Sequence, residues 1–561
     1  MHRQKHMTLG GTVFTVFMLM QFTGIAAQGQ VALPDGPCQV KAHPTWSVVE
    51  KWTWGRLCIG QIADLGVRDE RSLDPRSTVG WDDERLLGPG FLESVLLHEP
   101  WTSALPRQGV RINGALFDAP VELADGRIEH PLQLSNSRFT KRVDFQRIET
   151  RSYMSLVRSH FQGQLNLNSA AISGELDMTD TRVSGRLDMV MTNIGAGLFM
   201  RRNAEFTDVN LRGARIGGHL NMIGASVSGT LWMNSASING PLHMSGDAVF
   251  NNINLRGAQV DNQLDMTGAT VSGTLLMNAA TIGGNLHMSE ARFGNPITGV
   301  FVQTGGNLEL AGAELAGLDL TGAHIGGELL LAVPDSQPGW RDGARLILHN
   351  TAVDAIQDTP APGDWPLELE LHGFVYRMLG GMGGDINITD RGAQSYAQWL
   401  ARDKPYTPQP YEQLAGVLKR MGHGKEANDV LYAGRERARD LVLEDKQHVV
   451  WVGQTALKYT IGYGLGSRYF RSFYWVLALV LTGTLLLRLS GQNRIVDEKG
   501  KPPLQLAFFY SLDILLPIIR LRSRHYNIDL QGFVRYYFYF HQVMGYVLAS
   551  FLVAGLSGIT K

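Results

Sequence analysis

Apolar residues return every 11 positions along the middle of the chain. Pairs of the form apolar–x–apolar start at Val110/Ile112, pass through Leu176/Met178 and Leu220/Met222, and reach Leu286/Met288. That is 16 steps of 11, and both members are apolar in all 17 pairs. A second apolar column lies six residues before the second member of many pairs, at Ile172, Val183, Ile194, Ile216, Val227, Ile238, Val249, Val260, Val271 and Ile282. Two apolar residues with one residue between them share one face of a strand. An 11-residue period also suits a right-handed helical coiled coil, but the recurring Gly, Ser, Thr, Asn, Ile and Val oppose long helices. Short strands separated by turn residues at a fixed period predict a solenoid, in which each unit buries its apolar face on the next. Two steps make a coil of about 22 residues, with coils ~4.8 Å apart, which gives roughly ten coils and a rod on the order of 50 Å long. "VNLRGA" at Val209 and "INLRGA" at Ile253, 44 residues apart, read as an echo two coils long.

The flanks follow other patterns. Residues 28–104 are rich in Trp, at Trp46, Trp52 and Trp54, and Phe91, Leu92, Val95 and Leu96 have helical spacing. A helical cap over the open edge of the solenoid is the expected role. Residues 373–455 turn helical again. The stretch 408–439 predicts a hairpin, with Tyr411, Leu414, Val417 and Leu418 before a Gly-His-Gly break and Ala427 and Val430 after it; it resembles a single tetratricopeptide unit. Residues 456–561 predict a membrane domain with spans at about 473–489 and 538–558. Between them, 504–519 is apolar but short, holds Asp513 and Pro517, and suits a re-entrant or interfacial helix.

The N-terminal 1–27 has a secretory layout: Arg3 and Lys5, an apolar run from Val13 to Ala27, then small residues. The stretch 488–540 holds eight Lys and Arg against three in 456–472, so 489–535 is expected in the cytoplasm and the repeat on the other side. "YTIGYG" at 459–464 resembles a potassium-channel filter. It has neither a pore helix before it nor a span on each side, and it reads as a flexible glycine-rich joint between the rod and the membrane.

A formal net charge of −1 argues against a nucleic-acid partner. Glycine is abundant at 64 residues, but a hydrophobic share of 44% is too high for a disordered linker. The two cysteines, Cys38 and Cys58, are a natural disulfide in an exported chain. The column of Met residues is soft enough for a metal, yet adaptable core filling is the simpler reading. The residue between each Leu and Met points outward. Asp177, Asn221, His243, Asp265 and His287 fall in that column and line a polar surface strip, for a ligand or cation or simply for water. Asp513 is an intramembrane acid and so a site of interest by position. No catalytic, cofactor-binding or metal motif emerges. "LGGMGGD" at 379–385 lacks the third glycine of a dinucleotide loop and reads as a loop.

From Ala313 the spacing tightens to five, in "AELAG", "LDLTG" and "AHIGG", and "VNLRGARIGG" at 209–218 carries the same motif twice. Here the chain resembles the pentapeptide-repeat family, whose A-[D/N]-L-x-x motif builds a right-handed quadrilateral β-helix. The resemblance implies a mainly β chain with a right-handed β-helix over 105–372. The 11-residue step is the departure, as if every second pentapeptide gained a residue. With "GFVY", "PQPYEQLAGVLKRMG" and "SLDILLP", the whole arrangement is similar to bacterial membrane-anchored β-helix proteins, some labelled oxidoreductases. The expectation is a non-enzymatic solenoid anchored in the bacterial inner membrane, with its rod on the periplasmic side. It would scaffold a protein or an envelope polymer and meet the lipid bilayer. An ion-channel-like or transport-accessory protein is the second reading, and an enzyme of unrecognised type the third.

Overall fold

The computed structural model describes residues 38–359, 363–381, 391–490, 503–516, 519–523, 525, 528 and 530–556. The expected signal segment at 1–27, loop residues 382–385, Pro517 and the basic residues Arg494, Lys499, Lys501 and Arg524 lie outside them.

The repeat forms a parallel β-solenoid of about 12 turns, whose short strands join two long sheets. Pairing follows the sequence period. Leu176 pairs with Leu198, which pairs with Leu220, and the ladder runs on through Leu242, Leu264 and Leu286. The opposite sheet stacks Leu165, Leu187, Val209, Leu231 and Ile253 in the same way. Each rung is thus two 11-residue steps from the next, and the like side chains of successive rungs form one continuous core. The Met column is fully buried: Met178, Met189, Met222 and Met266 are all 0% exposed. Phe117, Phe139 and Phe161 stack on successive rungs with ring centroids 4.5 and 4.4 Å apart.

The half-turns close at β-turns with a left-handed residue. Ala214 N donates to Leu211 O at 3.1 Å across Gly213, whose φ is +64°. Every eleventh residue from Gly114 to Gly312 has positive φ. The expected tightening to five occurs once: Gly322 follows Gly312 after ten residues, and Ile297 pairs with Leu318, 21 residues on. The missing residue lies at the corner between Leu315 and Leu318, where other half-turns carry one more.

Three expectations about the rod need correction. Val249 is not a core residue. It is 46% exposed, and Phe250 is buried in its place, because Val227 pairs with Phe250, 23 residues on, and a bulge absorbs the extra residue. Strand pairing continues past 372 to Val375–Leu379, which pairs with Ala352–Gln357. The rod also has more turns than the roughly ten expected. Its last rungs, with Leu318 on Leu346 and Leu346 on Leu369, carry insertions that hide them from the 11-residue count.

Ahead of the rod lie α1 (Val48–Leu57), α2 (Leu65–Arg68), α3 (Pro89–Leu97) and α4 (Trp101–Ala104). A capping box starts α1: Ser47 Oγ accepts Glu50 N, and Glu50 Oε2 accepts Ser47 N. Helix α3 buries Phe91, Leu92, Val95 and Leu96, the four residues whose spacing predicts it. These side chains and Trp46 and Trp54 join the same core as Val110 and Ile112 of the first turn. Ala63–Asp64 pairs directly with Ile112–Asn113. Cys38 and Cys58 form a disulfide with Cα atoms 5.7 Å apart.

Behind the rod come α5 (Ala393–Ala401), α6 (Gln409–Arg420), α7 (Gly424–Glu444) and α8 (His448–Ile461). Helices α6 and α7 make the expected hairpin, with Tyr411, Leu414, Val417, Leu418, Ala427 and Val430 buried. Gln413 Nε2 donates to Tyr376 O at 2.6 Å and ties α6 to the last strand. "YTIGYG" ends α8 in a tight turn rather than a flexible joint. Gly462, Tyr463 and Gly464 all have positive φ, and Tyr463 Oη donates to Glu436 Oε1 at 2.8 Å. Three helices follow, α9 (Arg471–Leu489), α10 (Leu504–Leu515) and α11 (Phe533–Leu556). Among the described residues, one helical stretch, Gly466–Leu489, is long and apolar enough to cross a membrane.

Candidate functional site

Three places carry polar chemistry. The first is the expected strip. The structure sets Asn221, His243, Asp265 and His287 on adjacent rungs of one ladder, continued by Glu309. Asp177 is on the same ladder, but Phe199 separates it from Asn221. The acidic and amide members have local work. Asp177 Oδ1 accepts Thr179 N at 2.9 Å, Asn221 Oδ1 accepts Ile223 N at 3.1 Å, and Asp265 Oδ1 accepts Thr267 N at 3.0 Å. These are Asx turns, which lead the chain from the strand into the left-handed corner. His287 Nδ1 lies 2.7 Å from Glu309 Oε2, and His243 Nδ1 lies 3.7 Å from Asp265 Oδ2. Burial acts to raise the Asp265 pKa, but the bonds from Thr267 and Ser245 and the field of His287 leave it below the usual range. From His243 to Glu309 the strip therefore alternates imidazoles and carboxylates that pair within it, while its Asp and Asn side chains also accept backbone N–H groups of the adjoining corners. Among the described residues, no three His, Cys, Asp or Glu side chains gather into a metal-binding group.

The second place is Asp513. It is fully buried, at 0% exposure, on α10 between α9 and α11. Its Oδ1 accepts Leu521 N at 2.7 Å, its Oδ2 accepts Arg522 N at 3.0 Å, and His525 Nδ1 lies 2.7 Å from Oδ2. A carboxylate receiving backbone N–H groups and an imidazole organises the chain that follows α10. Nearby, His541 Nε2 is 2.9 Å from Ser511 O, and Tyr537 Oη donates to Leu479 O at 3.1 Å, so polar contacts link all three helices.

The third place has no counterpart in the sequence reading. A cavity of about 300 Å³ lies where the rod ends, between Ile356 and Leu379 of the last strands and α5. Trp365 and Trp399 form one wall, with ring centroids 5.0 Å apart. Asp358 and Arg391 form an ion pair: Nη1 donates to Oδ2 at 2.8 Å, and Nη2 lies 2.8 Å from Oδ1 without a hydrogen bond. Trp365 Nε1 donates to the same Oδ2 at 2.8 Å. Behind them, burial pushes the Asp364 pKa up; its Oδ2 accepts Thr359 N, and its Oδ1 has no hydrogen-bond partner. Burial likewise pushes the Tyr396 phenol up to about 12. The Trp399 indole N–H is also buried without a partner. An aromatic wall, a neutralised ion pair and an unused donor suit a small ligand with one flat apolar face and an acceptor oxygen. The sequence signal for it is faint. Asp358, Trp365, Arg391 and Trp399 fall where the 11-residue period has stopped, at intervals that belong to no motif.

Neither protein-family models, nor curated proteins, nor solved structures match this chain.

Proposed function

We propose that the protein is a membrane-tethered β-solenoid that acts as a non-enzymatic scaffold. It holds a protein or an envelope polymer along its sides, outside the cytoplasm of a bacterial cell. The observation that carries this reading is the rod itself. About 12 turns offer outward side chains along two long sheets, and extended lateral faces are what solenoids bind with.

In this reading the coil is right-handed and of the pentapeptide type. Helices α1–α4 cap its first rung, an arrangement supported by the core that they share with Val110 and Ile112. Helix α9 is a membrane span, and 538–558, mostly within α11, is a second one beside it. The excess of Lys and Arg in 488–540 supports a cytoplasmic position for the segment between the spans. The bonding of Asp513 favours the scaffold over an ion channel, because that carboxylate is committed to two backbone N–H groups and His525 rather than to a water-lined path.

Photo-crosslinking in intact membranes tests the proposal. Gln259, Thr281 and Gln303 are exposed and sit on neighbouring rungs of one ladder. With a photoreactive residue at each, the same partner should be captured from all three. Adducts with no common partner, or none at any rung, would overturn the scaffold reading.

A further inference from the structure

Helix α8 is built inside out for a protein in water. Val449, Val452 and Tyr459 lie on its outer side and are 88%, 58% and 59% exposed. Val450 and Leu457 flank them, also exposed. The inner side, turned toward α7, carries the polar groups. Lys458 Nζ pairs there with Glu436 Oε2, and Trp451 Nε1, Gln454 Oε1 and Thr455 Oγ1 are buried without hydrogen-bond partners. A helix on an aqueous surface turns its apolar stripe toward the protein. Here that stripe points away, and a contiguous apolar patch of this kind marks a partner or a membrane.

Its neighbour identifies the occupant. Helix α8 leads through the Gly462–Gly464 turn to α9, and the two stay in contact. Trp475 Nε1 donates to Tyr459 O at 3.0 Å, and Arg471 Nη1 donates to Lys458 O at 3.2 Å. Helix α9 exposes Phe473, Tyr474, Leu477, Leu481 and Leu485, so the two apolar surfaces adjoin. Tyr459 and Trp475 meet at their junction, and such aromatic side chains favour the membrane–water interface. Length excludes a second crossing by α8. Its 14 residues extend about 21 Å at 1.5 Å per residue, short of the ~30 Å hydrocarbon core.

We infer that α8 is an interfacial membrane helix. Its Val449–Val452–Tyr459 side sits at the boundary between headgroups and acyl chains of the bilayer that α9 enters. This rests on α9 being a membrane span. Bilayer contact on one side of α8 and the Glu436–Lys458 pair on the other would fix the hairpin, and the last rung of the rod above it, close to the membrane surface.

The test uses the full-length chain with its native disulfide intact, in vesicles of phosphatidylethanolamine and phosphatidylglycerol. Single cysteines replace Val452 on α8, Leu481 on α9 and Ala279 on the exposed corner of the rod, and each carries a fluorophore. A nitroxide on the lipid acyl chains and aqueous iodide serve as quenchers. The nitroxide should quench the label at 452 about threefold more than the label at 279, and iodide should show the reverse order. A label at 452 that iodide reaches as freely as at 279, while 481 responds to the nitroxide, overturns the inference and leaves the span standing. A label at 452 shielded from both quenchers overturns it in favour of a protein contact, such as a second copy of this chain. Iodide quenching at 481 removes the span and the inference together.

Discussion

Ala279 and Gly257 occupy equivalent corners of the rod, with φ of +54° and +63°. An L side chain in this region is strained by about 1–2 kcal/mol, whereas glycine adopts it freely. Ala279 is exposed and its methyl group has little packing to lose. Ala279→Gly should therefore stabilise the rod by about 0.5–1 kcal/mol, after the added flexibility of the unfolded chain is subtracted, and Gly257→Ala should destabilise it by about 1 kcal/mol. Urea denaturation of the two variants checks this; equal signs would mean that the corners are not equivalent. The same scale shows why some residues were legible and others were not. The buried Leu and Met of each rung are a matter of period, and period is visible in sequence. The use of Asp177, Asn221 and Asp265 is not, because their partners are backbone N–H groups two residues on, and an outward polar residue looks the same whether it binds water or closes a turn. Val249 misled because two apolar residues stand side by side, and only pairing decides that Phe250 faces inward.

Among the elements, the segment before the rod depends on one buried ion pair. Arg85 is 1% exposed, and its Nε and Nη2 meet Asp69 Oδ2 and Oδ1 at 2.6 and 2.7 Å. Burial acts to raise the Asp69 pKa, but the bonds from Arg85 and Arg71 outweigh it and hold the carboxyl at about 2, below its ordinary 3.8. A depressed carboxyl pKa stabilises the fold fully above the unfolded value and stops doing so as pH falls through the folded value. Asp69→Asn should therefore weaken amide-exchange protection in 63–87 at pH 7. Its difference from the unaltered protein should close between about pH 4 and pH 2; a difference unchanged across that window would contradict the assignment. Helix α3 and the α6–α7 hairpin were legible because their apolar spacing is helical and uninterrupted. The last rungs and the cavity beside α5 were not. Insertions break the period there, and Asp358 and Arg391, 33 residues apart, meet only once the rod is folded.

For the molecule as a whole, a solenoid with its first rung against α1–α4 and its last against α6 leaves its sides as the open surface, and α8–α11 form an apolar foot. The rod meets this foot through the α6–α7 hairpin, bonded to the last strand at Gln413–Tyr376 and to α8 at Glu436–Lys458, which leaves it little freedom to tumble independently. Its sides would then face a defined layer next to the bilayer, which is the property a scaffold needs. The proposed scaffold therefore depends most on which side of the membrane its rod occupies. Cysteines placed singly at exposed rung positions, Gln259 and Thr281, and labelled in intact spheroplasts with a membrane-impermeant maleimide, read this directly. The account predicts labelling at both positions before any permeabilisation. Protection of both until the membrane is opened would put the rod in the cytoplasm and contradict the account.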